Sequence, residues 1–227
     1  MTTLVEIPAL GCDEGLYQPF NKVLSLDTKV VVAVANRMAM CVEQVLANAP
    51  QEFFLLGTSF GGRVALETAV RAPERVKALI IIGAGPGPVV DPSAGLKRSE
   101  RVRGSEFEAV LKEMGDIVSH LPGPQGPSTM EAFRSMSRKG GAERFALQSD
   151  AMAHRTDLVP KLKSIMCPVL CLWGEHDQYS HAETARTIAA AVSRGRSVVI
   201  KDCGHFPTLE YPDEAAATVK GFLSLLA

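Results

Sequence analysis

The chain has 227 residues, 46% hydrophobic and 22% charged, and its 24 basic and 25 acidic side chains nearly cancel to a formal charge of −1. That balance leaves no case for nucleic acid or an anionic membrane surface as the main partner, and the length suits a single domain with a full core. The opening Met1-Thr2-Thr3-Leu4-Val5-Glu6 has no basic or long apolar leader pattern, and no run approaches membrane-spanning length, so a cytoplasmic protein is expected.

In chain order, Thr3 to Ile7 predicts a first strand closed by Pro8-Ala9-Leu10-Gly11, and the β-branched run Lys29 to Val34 predicts a second. Asn36 is placed to cap a helix whose apolar positions, Met38, Cys41, Val42, Val45 and Leu46, recur at three and four residues. Glu52 to Leu56 is a short apolar strand. It ends in Gly57-Thr58-Ser59-Phe60-Gly61 and leads straight into a helix spaced by Val64, Ala65, Leu66 and Ala69. Val76 to Ile82 is a fourth strand, and the alternation resumes with a strand at Pro168 to Trp173 and a helix over Ala182 to Val192. A strand at Ser197 to Lys201 and a helix near Asp213 to Leu226 complete it. Strands alternating with helices imply about six parallel strands in a doubly wound sheet, with its ligand crevice at the carboxyl ends of the strands.

Between Pro86 and Pro160 strand-like runs vanish. Ser105-Glu106-Phe107-Glu108 has a capping-box pattern with an apolar face behind it (Phe107, Val110, Leu111, Met114, Ile117, Val118), Ser128-Thr129-Met130-Glu131 repeats the pattern, and Glu143 to His154 reads as another helix. The expected organisation is one domain over 1–227, with its core at 1–85 and 161–227 and a helical cap inserted at about 86–160. Within it, Lys97-Arg98-Ser99-Glu100-Arg101-Val102-Arg103 reads as a solvated helix face, with attraction of an anionic substrate as the alternative.

A serine on a strand-to-helix turn is held in a tight corner with a helix N-terminus behind it, and Gly57 and Gly61 let neighbouring backbone crowd that corner. Such a serine needs a base, and the base an orienting acid. Trp173-Gly174-Glu175-His176-Asp177 and Asp202-Cys203-Gly204-His205-Phe206-Pro207 each follow a strand, so Asp177 and His205 reach the same sheet edge as Ser59. Position favours Asp177 as the acid, with Glu175 and Asp202 as competitors. His176 and His181 are five apart, a poor spacing for one helical face, and no metal is expected. Gly83-Ala84-Gly85-Pro86-Gly87-Pro88 reads as a loop, because its prolines and the lack of a following helix do not suit a dinucleotide site. Five scattered cysteines without ligand or redox spacing fit reduced thiols, with Cys12 and Cys203 as packing residues beside the site. Met114, Met130, Met136 and Met152 are expected to pack between cap and core, or to line an acyl pocket.

With Gly57 to Gly61, Asp177 and Gly204-His205 in that order, and Ala72-Pro73-Glu74-Arg75-Val76 linking helix to strand, nearly the whole chain resembles the α/β-hydrolase fold superfamily. The likeness is to its small, capped, single-domain members, which include esterases, enol-lactonases and carbon–carbon bond hydrolases. The resemblance implies Ser59 as nucleophile, His205 as general base and then acid, and Asp177 orienting the imidazole. It implies an oxyanion hole from the backbone N–H groups of Phe60 and Leu10, although Pro8-Ala9-Leu10 stands where the family usually has His-Gly-X. A second departure is that Ala35-Asn36-Arg37 leads almost directly into a helix where relatives often have a longer loop. The expected activity is hydrolysis of a small-molecule carboxylic ester, thioester or lactone without a cofactor. Acyl transfer, perhydrolysis or small-molecule reception on the same fold are the alternatives.

Overall fold

The computed structural model describes residues 2–226, so Met1 and Ala227, the ends of the expected domain, lie outside the described residues. Six strands, β1 (Leu4–Ile7), β2 (Thr28–Val30), β3 (Phe53–Thr58), β4 (Val76–Ile82), β5 (Val169–Gly174) and β6 (Gly195–Ile200), form one parallel sheet in the order β2-β1-β3-β4-β5-β6. The order runs outward from β1 in one direction and reverses in the other, which is the doubly wound layout. Helices α1 (Gln18–Leu24), α2 (Met38–Asn48) and α3 (Phe60–Arg71) intervene among the first four strands. Four more, α4 (Pro92–Gly104), α5 (Phe107–Val118), α6 (Gly126–Gly140) and α7 (Ala142–Ala153), separate β4 from β5, and α8 (Glu183–Ala191), α9 (Pro207–Glu210) and α10 (Pro212–Ser224) follow. The central strands are near-continuous apolar runs because both their faces are covered: Leu55, Leu56, Leu79 to Ile82 and Val169 to Trp173 are all buried. No described helix is long and apolar enough to cross a membrane.

Several local expectations change. β2 stops at Val30 rather than Val34, because the Gln44 side chain of α2 takes both the N–H and the C=O of Val34 and replaces a strand partner there. α2 is capped by Arg37, not Asn36, and without a side-chain bond. Ser105 is no helix N-cap. It sits at φ 117° and closes α4, while Glu106 precedes α5 and gives its carboxylate to Arg101. Ser128 lies inside α6, with its hydroxyl on the carbonyl of Gln125. Ile117 leaves the expected apolar face of α5 and is exposed, and Gly115 packs there against Arg134 instead.

One buried carboxylate on β1 couples the fold to pH. Glu6 is fully buried, one oxygen accepting from Asn21 and the other without a partner among the described residues. Burial pushes its carboxyl up to about 8, against the smaller opposing effect of the Asn21 bond. The unfolded chain ionises this group near its ordinary value of about 4.3. Its contribution to stability is therefore whole below that pH and is lost as pH rises toward 8, by on the order of 4–5 kcal/mol at most. Glu6→Gln is expected to flatten the decline in Tm between pH 5 and 8. Parallel declines in wild type and variant would remove Glu6 from the account.

Candidate active site

β3 delivers Ser59 to the carboxyl edge of the sheet in a conformation that L-residues rarely adopt, φ 55° and ψ −116°. The turn is held by the Ser59 N–H donating to the carbonyl of Ile82 at 2.7 Å and by Arg63 N–H donating back to the Ser59 carbonyl at 2.9 Å. Gly61 allows it: a Cβ there would overlap the carbonyls of Ile7 and Pro8.

Asp177 follows β5 and His205 follows β6, and the structure brings them together across 28 residues. His205 Nδ1 lies 2.7 Å from Asp177 Oδ2, with both side chains almost wholly buried. The second carboxylate oxygen accepts the N–H groups of Tyr179 at 2.8 Å and Ser180 at 3.0 Å, which fixes its plane. The rival acids stand aside. Glu175 is half exposed and accepts the N–H of Asp202, whose own side chain faces solvent.

Ser59, Phe60, Leu10 and His205 line one cavity of about 510 Å³. Among the described residues, Ser59 Oγ has no protein hydrogen-bond partner, and the N–H groups of Phe60 and Leu10 have no protein acceptor. The cavity thus holds a strained serine, a buried imidazole anchored by a carboxylate, and two unspent backbone donors.

The profile of the alpha/beta hydrolase family matches residues 7–218. The chain belongs to this family. Pimeloyl-[acyl-carrier protein] methyl ester esterase of Nitrosospira multiformis is 28% identical over 190 residues, 80% of this chain and 72% of the relative. The 2-hydroxy-6-oxononadienedioate/2-hydroxy-6-oxononatrienedioate hydrolase of Escherichia coli K12 is 27% identical over 177 residues, 75% of this chain and 62% of the relative, less than two thirds of its length. Among solved structures, a thermophilic esterase from Thermogutta terrifontis superposes with a TM-score of 0.89 at 22% identity, covering 100% of this chain and 90% of that one. The enol-lactonase from Burkholderia xenovorans LB400 gives 0.86 at 20% identity, covering 98% and 91%. At these identities the superpositions speak for the fold alone.

Other residues of this alpha/beta hydrolase site carried no sequence signal. Glu210, at the end of the short helix α9, is buried and gathers the N–H groups of Gly204, Phe206 and His120, so one carboxylate shapes the loop on both sides of His205. The Tyr179 ring lies 4.9 Å from the His205 ring, and its hydroxyl donates to the carbonyl of Met114 in α5. Arg63, in the first turn of α3, is 1% exposed. It donates to the carbonyls of Pro86 and Gly87 at 2.9 Å and of Thr156 at 2.5 Å, and pairs with Glu67. A buried arginine is found only by knowing which carbonyls converge on it.

Met114 and Met152 line the cavity, whereas Met136 packs against Gly15. Cys12 and Cys203 are wholly buried, and burial pushes both thiols far up, so they remain protonated packing groups. His120 and His176 stack with ring centroids 4.1 Å apart, and with Asp202 they bring three ligand-type atoms within 4.8 Å of one another. None of the three lines the cavity, and two of them are exposed.

Proposed function

We propose that the chain is a serine hydrolase that cleaves a small-molecule carboxylic ester, thioester or lactone through an acyl-enzyme. The observation that carries this reading is the buried 2.7 Å contact between Asp177 and His205, the latter lining the same cavity as the strained Ser59. In the proposed reaction His205 Nε2 takes the Ser59 proton as Oγ attacks the acyl carbonyl. The Nδ1–H bond to Asp177 Oδ2 fixes the tautomer that makes this possible. Negative charge gathers on the former carbonyl oxygen and is met by the N–H groups of Phe60 and Leu10, the first at the N-terminus of α3. Collapse of this intermediate breaks the acyl–oxygen or acyl–sulfur bond as His205 returns the proton to the leaving group. Water, deprotonated by the same imidazole, then releases the acid and restores Ser59. In this reading α4–α7 form a cap over the carboxyl edge of the sheet, contributing Arg98, Met114, Phe133 and Met152 to the cavity wall. The names of the relatives, a methyl ester esterase and a dioate hydrolase among them, support hydrolysis as the class of reaction.

Turnover of short-chain nitrophenyl esters tests it. Ser59→Ala is expected to lower kcat by about 10⁴-fold or more. A fluorophosphonate probe should label the wild type on the peptide containing Ser59. Equal rates in wild type and Ser59→Ala would overturn the assignment.

A further inference from the structure

The basic stretch at the start of the four-helix segment divides into two kinds of arginine. Arg101 pairs with Glu106 and Glu113, and Arg103 with Glu143 and Asp150, all at the surface. Arg98, on the same helix, lines the cavity instead and makes no ion pair or hydrogen bond among the described residues. α4 packs along α7 so closely that a Cβ on Gly95 would stand 2.9 Å from that of Ala153. This packing brings Arg155, two residues beyond the end of α7, to the same wall. Arg155 donates only to the carbonyl of Met152 and likewise has no carboxylate partner among the described residues.

The charge around them does not cancel. Arg63, the third arginine of the wall, is already met by Glu67 and three carbonyls. The wall's carboxylate, Asp91, is occupied with the N–H and hydroxyl of Ser93 as the cap of α4. Burial holds both Arg98 and Arg155 below their usual range, and repulsion from Arg63 and Arg98 adds to this at Arg155. Arg98 and Arg155 are half-buried, and two neighbouring guanidinium groups partly withdrawn from water favour a ligand that supplies the missing counter-charge. Tyr179 lies within the field of Arg98 and packs on the His205 ring, so this cationic wall adjoins the reacting groups.

We infer that Arg98 and Arg155 form a seat for a terminal oxyanion, carboxylate or phosphate, on the acyl part of the substrate, so that the favoured substrates are esters whose acyl part carries a second anionic group rather than esters of simple fatty acids. The planar forks of two arginines match such a group, and each charge-assisted bond strengthens in a partly dry cavity. This inference rests on the reading of Ser59 as the nucleophile and narrows its substrate.

The test compares mono-nitrophenyl glutarate and adipate with the neutral nitrophenyl butyrate and hexanoate. Wild type is expected to favour the charged esters in kcat/KM by about tenfold or more. Arg98→Gln and Arg155→Gln should each lower the ratio of charged to neutral kcat/KM by about tenfold, and the double variant should abolish the preference. Arg101→Gln, on the outer face of the same helix, should leave the ratio at the wild-type value. In Ser59→Ala, which cannot turn over, adipate or inorganic phosphate should raise Tm, and Arg98→Gln added to it should cancel the rise. Stabilisation by adipate identifies the group as a carboxylate, and stabilisation by phosphate as a phosphoryl group. Ser59-dependent turnover with no charge preference, or with a ratio unmoved by both arginine variants, overturns this inference and leaves the hydrolase reading intact. Turnover that survives in Ser59→Ala overturns the hydrolase reading itself.

Discussion

Asp177→Asn is expected to lower kcat on a nitrophenyl ester by about 10⁴-fold while leaving KM and Tm near the wild-type values. The carboxylate touches no substrate atom in the proposed reaction. One oxygen holds His205 Nδ1 at 2.7 Å, and the other is fixed by the N–H groups of Tyr179 and Ser180. An asparagine can keep its oxygen on those two donors, and its amide then presents N–H to Nδ1. The imidazole is thereby forced into the tautomer with the proton on Nε2, the atom that accepts from Ser59 in the proposed reaction. The loss is electronic and orientational, so it falls on kcat. Glu175→Gln, which alters the neighbouring acid that faces Asp202, is the matched control and should retain activity within a few-fold. Asp177→Asn within tenfold of wild type would shift the orienting role elsewhere.

Gly61→Ala should damage the fold and the chemistry together. Its new methyl would overlap the carbonyls of Ile7 and Pro8, and these are backbone atoms that no rotamer change can move. Relief requires the end of β1 to separate from the start of α3. That same separation spreads the N–H groups of Leu10 and Phe60, which converge on one oxygen in the proposed reaction. Overpacking of this kind costs roughly 1–3 kcal/mol, and misplacing one oxyanion donor costs about 10²–10³-fold in kcat. A Tm lowered by several degrees with kcat reduced by that factor is the expected pair of results. Wild-type kcat with a lowered Tm would remove Leu10 from the oxyanion hole while leaving the packing argument in place.

What the sequence revealed and what it hid differ in physical kind. The alternation of apolar runs with helical spacing made the parallel sheet readable, because burial on both faces writes itself into each central strand locally. Ser59, Asp177 and His205 could be singled out because each directly follows such a strand, and parallel strands bring their ends to one edge. The failures lie where a tertiary partner overrides a local pattern. Ser105 has the composition of a helix cap but is the left-handed residue ending the previous helix. Val34 has the composition of a strand but is satisfied by Gln44. Glu210 and Arg63 have no local signature, since each is defined by backbone groups that arrive from distant segments. Arg98 shows the same limit in reverse, because nothing in Lys97 to Arg103 tells which arginine turns inward.

Arg63 binds the carbonyls of Pro86 and Gly87, just before α4, and of Thr156, just after α7. The helical segment thus enters and leaves the sheet through a single guanidinium that belongs to the helix carrying Ser59. Both roots are fastened to one point, so a displacement of either root is felt at the first turn of α3, directly behind Ser59. Between its roots the segment is also tied to the core by Gln148 on Gly11 and Ala33, by Arg144 on the Gly11 carbonyl and by the His120 N–H on Glu210, so any replacement of these helices has to restore those bonds as well as the carbonyls on Arg63.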